Sequence, residues 1–307
     1  GNVSGGQKAA LRDLVAGCVA GGTARLCVAP LDVVKIRFQV MTESVEEKVG
    51  RTAASYVPRT YRSLLHAIEE IVATEGVRAL WKGNFPAMGM IVPYGGIQFM
   101  CYHQFFRSFD RLLPQPYISF CAGGFAGVVA TVCTYPLDLL RTRLAVQSEP
   151  RMYKSVGDAI RKIYSKEGYA GFYGGVQPTL IEIVPYIALH FTFYEGCKVA
   201  YLDRYLQRQD RQLTPPEALV AGGFSGLASK LMTMPLDTVK KRMQVQGQFF
   251  SKSRYSGFLD VLQKVYHREG VRGLFRGTLP SIVKAFPNSA ITFTIFEAMK
   301  RFIDKHY

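Results

Sequence analysis

The sequence predicts an all-α membrane protein with six transmembrane helices, arranged as three homologous repeats that each add one short surface helix. Three observations predict this fold class. A motif of a proline, an acid two residues later and a base three residues after the acid occurs three times. Segments almost free of formal charge follow each copy, and an acidic residue followed by glycine lies between them. Internal repetition of this kind indicates the architecture of the whole chain. The motif copies start at Pro30, Pro136 and Pro235.

The repeated motif predicts a kinked helix that carries opposite charges on one face. A proline inside a helix removes a backbone hydrogen bond and bends the axis. The acid and the base are three residues apart, so they share a helix face. We therefore expect three helices to close together through a ring of ion pairs. The acid and base of each copy are Asp32 and Lys35, Asp138 and Arg141, and Asp237 and Lys240.

The spacing around the motif defines three units of about 100 residues. A glycine stands nine residues before each proline, and Gly-x-x-x-Gly precedes every copy. After each copy comes an acid-glycine pair and then an aromatic residue, as in Glu75-Gly76 followed by Trp81. The predicted repeats are residues 1–113, 114–211 and 212–307, which form one compact membrane domain.

The long helices follow from length and charge. The first, third and fifth are predicted at residues 11–40, 117–146 and 217–245. At about 1.5 Å per residue, roughly 28 residues cover about 42 Å, more than a hydrocarbon core of about 30 Å. The second, fourth and sixth are predicted at 85–109, 177–202 and 278–305, with breaks or kinks at Pro93, Pro185 and Pro287. Glu182 and Lys284 are isolated charges inside two of them, and such charges face protein or water. We expect residues 1–10 to be frayed.

The three surface helices are predicted at residues 63–75, 155–167 and 257–269, with apolar residues at helical spacing in the first. A glycine precedes each even-numbered long helix. Helix N-termini present unpaired N–H groups and bind phosphate well. We therefore expect three sites for phospholipid head groups, formed by Ser63 with Gly83, Ser155 with Gly175, and Gly257 with Gly277.

Composition narrows the class of function. The net charge of +15 suits an anionic membrane surface, an anionic substrate or nucleic acid. The basic residues are spread over three repeats beside the spans, so we expect no nucleic-acid partner. The six cysteines form no C-x-x-C pair, which argues against a metal site or a disulfide framework. No phosphate loop or common catalytic motif is present. We expect a transporter that needs no cofactor, with an enzyme, a passive pore and a scaffold as the competing classes. No cleavable signal is expected in residues 1–7.

The motifs resemble the signature of the mitochondrial carrier family over the whole chain. That signature is P-x-[DE]-x-x-[KR]-x-[KR], then [DE]-G-x-x-x-x-[WYF]-[KR]-G, three times; Gly174 departs from it where a base is expected. The resemblance implies six tilted helices in three-fold pseudo-symmetry around a central cavity, with the surface helices on the matrix side. It also implies a monomer, multi-pass in the inner mitochondrial membrane, that works by alternating access and binds cardiolipin.

The resemblance also implies two gates. On the matrix side, ion pairs between neighbouring repeats close the cavity, braced by Gln39 and Gln244, whereas Ala145 occupies the third brace position. The expected pairs are Asp32–Arg141, Asp138–Lys240 and Asp237–Lys35. On the cytoplasmic side the expected pattern [FY]-[DE]-x-x-[KR] is incomplete, because helix 2 has His103 in place of the acid. Glu195–Lys300 is then the one complete pair expected there, next to Lys198 and Glu297.

Equivalent positions in the repeats predict the substrate site. Bases suit phosphate, aromatic rings suit a heterocycle, and Glu182 either pairs with Lys284 or accepts a hydrogen bond from an amino-bearing ring. Within the family, the stretches 81–86, 94–99 and 135–144 resemble carriers of a cofactor with a diphosphate, a cationic ring and an aminopyrimidine. This resemblance implies a substrate such as thiamine pyrophosphate, with coenzyme A and adenine nucleotides as the alternative. The predicted cavity residues are Arg25, Met90, Tyr94, Gln98, Thr131, Glu182, Tyr186, His190, Lys230, Lys284 and Asn288.

Overall fold

The computed structural model describes residues 2–40, 61, 63–109, 114, 117–148, 151–205, 215–249 and 255–306. Within these ranges the chain is helical, and no strand occurs in them. Two short 3-10 helices, Val77–Trp81 and Tyr169–Tyr173, follow the first two surface helices. The α-helices are α1 (Asn2–Val40), α2 (Leu64–Glu75), α3 (Asn84–Gly89), α4 (Ile91–Phe109), α5 (Tyr117–Val146), α6 (Val156–Glu167), α7 (Val176–Tyr205), α8 (Pro215–Phe249), α9 (Phe258–Leu274) and α10 (Thr278–His306).

The long helices occupy the predicted segments, with two differences. Helix α1 begins at Asn2, so the expectation of a frayed lead over residues 1–10 is wrong for the described residues 2–10. Gly5 and Gly6 disfavour a helix in that stretch, but it contains no proline, so every residue keeps the N–H that a helix requires. The second long helix is split into α3 and α4 at Met90. Pro93 has no N–H to donate to the carbonyl of Gly89, which explains the break at this place. Pro185 and Pro287 lie inside continuous helices.

Each odd-numbered long helix contains the motif proline in its interior, namely Pro30 in α1, Pro136 in α5 and Pro235 in α8. The proline leaves the carbonyl four residues earlier without its helical donor. In α1 this carbonyl belongs to Leu26, and the indole N–H of Trp81 donates a hydrogen bond to it at 2.9 Å. The aromatic residue that follows the acid-glycine pair therefore connects the 3-10 helix to the proline kink.

Serine side chains cap the first two surface helices, α9 begins after Gly257 without a side-chain cap, and all three pack on the long helix of their own repeat. Ser63 accepts from the N–H of His66 at 3.2 Å, and Ser155 accepts from the N–H of Asp158 at 3.2 Å. Apolar clusters join α2 to α1, α6 to α5 and α9 to α8. A further buried cluster joins all three repeats and consists of Val33, Ile36, Val40, Ala145, Val146 and Val245.

Two segments of the described chain, Ala16–Val40 and Tyr117–Val146, are long and apolar enough by themselves to cross a membrane. The other long helices include charged residues such as Glu182 and Lys230 at mid-length. Charged residues inside a span lower its mean hydropathy, and they are tolerated where they face protein or water. Charges in the interior of these helices therefore have to be explained by what they contact.

Candidate substrate site and ion-pair ring

Six charged residues of the motifs meet where α1, α5 and α8 converge, and we call them the signature ring. Asp32 lies 2.7 Å from Arg141, Asp237 lies 2.8 Å from Lys35, and Asp138 lies 3.2 Å from Lys240. Each contact joins two different repeats, as the motif predicts. The side chains of all six are at most 16% exposed. The ring therefore holds the three kinked helices together at one end of the molecule.

Glutamine amides support two of the three ion pairs. The Nε2 atom of Gln39 donates to Asp237 at 3.1 Å, and that of Gln244 donates to Asp138 at 2.9 Å. The third position is Ala145, which has no polar side chain. A small, partly open pocket lies there, lined by Asp32, Arg141 and Ala145 among others. The Asp32–Arg141 pair thus lacks the amide that its two counterparts have.

Lys241 adds a base that the sequence reasoning missed. It is buried, and its Nζ donates to the hydroxyl of Thr142 at 2.8 Å and to the side-chain oxygen of Gln244 at 2.9 Å. The same Nζ lies 3.6 Å from Asp138. The equivalent residues of the other repeats are Ile36 and Thr142. The Lys-Lys doublet of the third motif is the signal that a closer reading of the repeats would have found.

The role of the second base of each motif was also missed, although this base and its glutamate partner both occur in every repeat. Arg37 places two guanidinium nitrogens on the carboxylate of Glu75, at 2.6 and 2.8 Å. Its Nε donates to the carbonyl of Ala145 in the next repeat at 3.0 Å. Each such arginine therefore connects the surface helix of its own repeat to the long helix of the following one. The three arginine–glutamate pairs are Arg37–Glu75, Arg143–Glu167 and Arg242–Glu269.

Glu75 lies on the surface helix α2, and its ionisation follows from these contacts. Burial raises the pKa of the Glu75 carboxyl, but hydrogen bonds from Arg37 and Lys82 outweigh the burial and lower the pKa below its ordinary value. Lys82 approaches the carboxylate to 2.6 Å. The carboxylate is therefore ionised at neutral pH and holds two bases at the junction of α1 and α2.

The charges inside the long helices pair differently from the expectation. The predicted pairing of Glu182 with Lys284, one of the two alternatives for Glu182, is not found. Glu182 accepts a hydrogen bond from Lys230 at 2.8 Å, and Lys230 also lies 3.3 Å from Asp237. Lys284 instead donates to Asp32. The reason is the packing order: α7 runs along α8 and α10 runs along α1, so each side chain meets the long helix of the next repeat rather than another even-numbered helix.

Arg25 is the base of this region whose hydrogen-bond donors are least satisfied. It lies on α1 near Asp32, Asp138 and Arg141. Its buried Nε and Nη2 atoms have no hydrogen-bond partner in the part of the chain that the structure describes. A buried donor without a partner is costly, and a charged one more so. These two nitrogens therefore have hydrogen-bonding capacity that the described residues do not use.

Counted together, the charges around the signature ring have a positive surplus, and we call this set the central layer. Among the described residues it contains four carboxylates and seven bases, a surplus of three positive charges by formal count. A surplus of this sign in a partly enclosed site attracts multivalent anions. The members are Asp32, Asp138, Glu182 and Asp237, with Arg25, Lys35, Arg141, Lys230, Lys240, Lys241 and Lys284.

The remaining predicted cavity residues are all partly buried on the long helices. The rings of Tyr186 and His190 pack edge to face at 6.1 Å, and Met90 stands at the break between α3 and α4. Their contact with a substrate stays a prediction. Besides these three, the group contains Tyr94, Gln98, Thr131 and Asn288.

At the opposite ends of the long helices, the charged residues contact their own helices. Glu195 lies 3.5 Å from Lys198 on α7, and Glu297 lies 3.7 Å from Arg301 on α10. His103 packs against the ring of Phe99 at 4.3 Å. The Glu195–Lys300 pair between helices stays a prediction.

The glycines expected to bind lipid have a packing role. Gly83 has φ 78°, and a Cβ atom there would lie 2.4 Å from the carbonyl oxygen of Arg141 in the next repeat. Gly277 has φ 87°, and its Cβ would lie 2.8 Å from Gln39 of repeat 1. Both glycines thus let the start of an even-numbered helix approach the signature ring. Lipid binding at these positions, at Gly175 and at the surface-helix starts stays a prediction.

Sequence comparisons identify the class of protein to which the chain belongs. The family model described as mitochondrial carrier protein matches residues 6–111, 114–205 and 211–307, and the chain belongs to this family. The chain is 36% identical to mitochondrial thiamine diphosphate carrier 1 of Zea mays, over 97% of the chain and 95% of that protein. It is 38% identical to mitochondrial thiamine diphosphate carrier 1 of Arabidopsis thaliana, over 95% and 94% respectively. Mitochondrial thiamine pyrophosphate carrier 1 of Aspergillus terreus is 40% identical, over 94% and 91%.

Proposed function

We propose that this chain exchanges thiamine pyrophosphate across the inner mitochondrial membrane by alternating access. Membership of the mitochondrial carrier family supports a transport role rather than an enzymatic one. The names of the relatives from a plant and a fungus support the substrate. The charges of the central layer supply the chemical reason, because a diphosphate is strongly negative.

The unsatisfied guanidinium nitrogens of Arg25 are the main observation behind the proposal. These two buried nitrogens lack partners among the described residues, and a phosphate group satisfies such donors in bidentate fashion. Lys230 and Lys284 lie in the same layer and already pair with carboxylates, so they add charge without being unsatisfied. The heterocyclic part of the substrate then contacts the partly buried aromatic and amide residues, such as Tyr94 and Tyr186.

The proposed cycle uses the signature ring as the matrix gate. With its three ion pairs formed, the ring closes the matrix side and the cavity accepts substrate from the other side. Negative charge brought by the substrate competes with Asp32, Asp138 and Asp237 for the bases around it. Separation of the ion pairs then opens the matrix side, while Glu195 and Lys300 approach each other at the opposite end.

Counter-exchange in liposomes tests this function. Purified protein is reconstituted, the liposomes are loaded with unlabelled thiamine pyrophosphate, and uptake of the labelled compound is measured against empty liposomes. We expect loading to accelerate uptake. Exchange of coenzyme A or adenine nucleotides, without exchange of thiamine pyrophosphate, would instead establish the alternative substrate class. Binding without any flux would indicate a receptor or scaffold.

We further propose a monomer that binds cardiolipin at the starts of the surface helices and of the even-numbered long helices. The start of α6 is exposed, and the exposed base Lys154 lies just before it, which supports an anionic head group there. Thermal unfolding of the detergent-purified protein with and without cardiolipin tests it. Phosphatidylcholine is the control lipid, and an equal effect of both lipids would contradict the proposal.

A further inference from the structure

The three ion pairs of the signature ring are not supported equally. Asp237 and Asp138 each have two bases nearby, Lys35 and Lys230 for Asp237 and Lys240 and Lys241 for Asp138. Each also accepts a hydrogen bond from a glutamine amide, which stays in place if a substrate draws one base away. At the Asp32–Arg141 pair the corresponding residue is Ala145, and a partly open pocket lined by Asp32, Arg141 and Ala145 occupies the space beside it. Asp32 therefore needs another contact in place of the amide.

Lys284 supplies the second contact to Asp32. Its Nζ donates to Oδ1 of the carboxylate, while Nη2 of Arg141 donates to Oδ2 at 2.7 Å. Each oxygen of Asp32 thus has its own cationic donor. The other charged groups that face Lys284 are the bases Arg141 and Lys35, which repel it, so Asp32 is what holds it in place.

This contact differs from a glutamine brace in one physical respect, which is its charge. The amides of Gln39 and Gln244 are neutral and have little attraction for an anion. Lys284 is a cation within the central layer and lies on a helix that borders the predicted cavity. An anionic substrate therefore competes with Asp32 for Lys284, whereas it does not draw the glutamines away from Asp237 or Asp138.

We propose that Lys284 is a positioning residue that replaces the missing brace at Asp32–Arg141, and that its transfer from Asp32 to the phosphate of the substrate makes this pair the first to separate. The second half of this inference rests on the proposed function. The first half concerns the ion-pair ring alone and holds for any substrate.

A pair of variants tests the brace without any substrate. Lys284→Met removes the charge at similar length, and Ala145→Gln places an amide in the pocket beside Asp32. We expect Lys284→Met to lower the melting temperature of the purified carrier by about 3–6 °C. Adding Ala145→Gln to Lys284→Met restores at least half of that loss, and Lys284→Arg, which keeps the charge, loses less than Lys284→Met.

Lys230→Met is the matched control, because Asp237 keeps both Lys35 and Gln39 when Lys230 is removed. Ala145→Gln does not restore the melting temperature of that variant if the inference is right. Equal restoration of both variants would identify a general stabilisation and overturn the brace. So would equal losses in Lys284→Met and Lys284→Arg, or no restoration of Lys284→Met by an Ala145→Gln change that is harmless alone.

Exchange kinetics test the coupling to substrate. The double variant Lys284→Met/Ala145→Gln has a braced pair that an anion cannot weaken, so we expect its maximal exchange rate to fall at least tenfold while its melting temperature stays near that of the wild type. A wild-type exchange rate in this variant would overturn the coupling. If the wild type does not exchange thiamine pyrophosphate, the proposed function is wrong. The melting temperatures of the variants still test whether Lys284 acts as the brace.

Discussion

At Arg25, a contribution to substrate binding can be tested separately from a contribution to protein stability. The guanidinium is buried, yet two of its nitrogens have no partner among the described residues. Arg25→Gln should therefore raise the KM for thiamine pyrophosphate about 10- to 100-fold, since a hydrogen bond to a charged group contributes about 1.5–3 kcal/mol. The melting temperature without substrate should not fall, because no carboxylate loses its partner. Exchange kinetics and thermal unfolding measure the two effects.

The control for this prediction is Arg161→Gln, which changes an exposed arginine on the surface helix α6. Its KM should equal that of the wild type. A decrease in melting temperature in Arg25→Gln, with the KM unchanged, would assign the arginine a structural role and remove it from the substrate site.

Glu75 gives a prediction at the same scale for the dependence of stability on pH. Burial raises the pKa of its carboxyl, but Arg37 and Lys82 lower the pKa below its ordinary value. A carboxyl with a lowered pKa stabilises the fold above its unfolded pKa of about 4.3, and that stabilisation is lost as the pH falls through the folded pKa. Glu75→Gln should reduce the melting temperature at pH 7 and flatten its decrease below about pH 4.3.

The reduction at pH 7 should be large, because Arg37 is fully buried and would lose its carboxylate. Breaking a buried ion pair costs about 3–5 kcal/mol. The comparison variant is Glu69→Gln on the same helix, where the residue is exposed. Melting curves of wild type and Glu75→Gln that stay parallel from pH 7 down to pH 3.5 would contradict the assignment.

At the scale of elements, the start of each even-numbered helix is limited by how closely it approaches the next repeat. Gly83 combines a left-handed backbone with a position where a Cβ atom would lie 2.4 Å from the carbonyl oxygen of Arg141. Gly83→Ala should destabilise the fold by about 2–4 kcal/mol, through the backbone conformation and the displaced helix together. Thermal unfolding measures the loss.

Gly89→Ala is the matched control on the same helix α3, since a Cβ atom there meets nothing within 4 Å. Its melting temperature should stay the same or rise slightly, because alanine favours a helix. Similar losses in both variants would mean that helix flexibility at these glycines, rather than the approach of α3 to α5, limits the stability.

The elements were predictable because their signals repeat. The motif prolines and aspartates stand in register three times and the brace glutamine twice. The spacing therefore indicated a ring of ion pairs, and the family resemblance indicated which residues would pair. Single-copy features were not predictable in this way. Lys241 has no equivalent in the other repeats, and the partner of Lys284 depends on α10 lying along α1, which no local pattern reveals. Hydropathy was also a poor guide, because charges of the central layer lie inside the long helices.

At the scale of the whole molecule, the three repeats are held together by contacts that each repeat makes with the next. Arg37 reaches the carbonyl of Ala145, Arg143 that of Gln244, and Arg242 that of Gln39, so the contacts form a closed cycle. The ion pairs of the signature ring follow the same cyclic order. No repeat can then move without changing its contacts with both neighbours, so a change at one ion pair affects the other two.

The positive surplus of the central layer leads to a prediction for transport as a whole. Salt screens the attraction between the layer and an anionic substrate, with a Debye length of about 10 Å at 0.1 M and about 3 Å at 1 M. The KM for thiamine pyrophosphate should therefore rise with ionic strength, while the maximal exchange rate changes little. Arg25→Gln lowers the surplus and should make the rise less steep, whereas Arg161→Gln on the exposed face of α6 should keep the wild-type dependence. Initial exchange rates at several potassium chloride concentrations measure this, and a KM independent of salt would mean that the heterocyclic part of the substrate, rather than its phosphates, dominates binding.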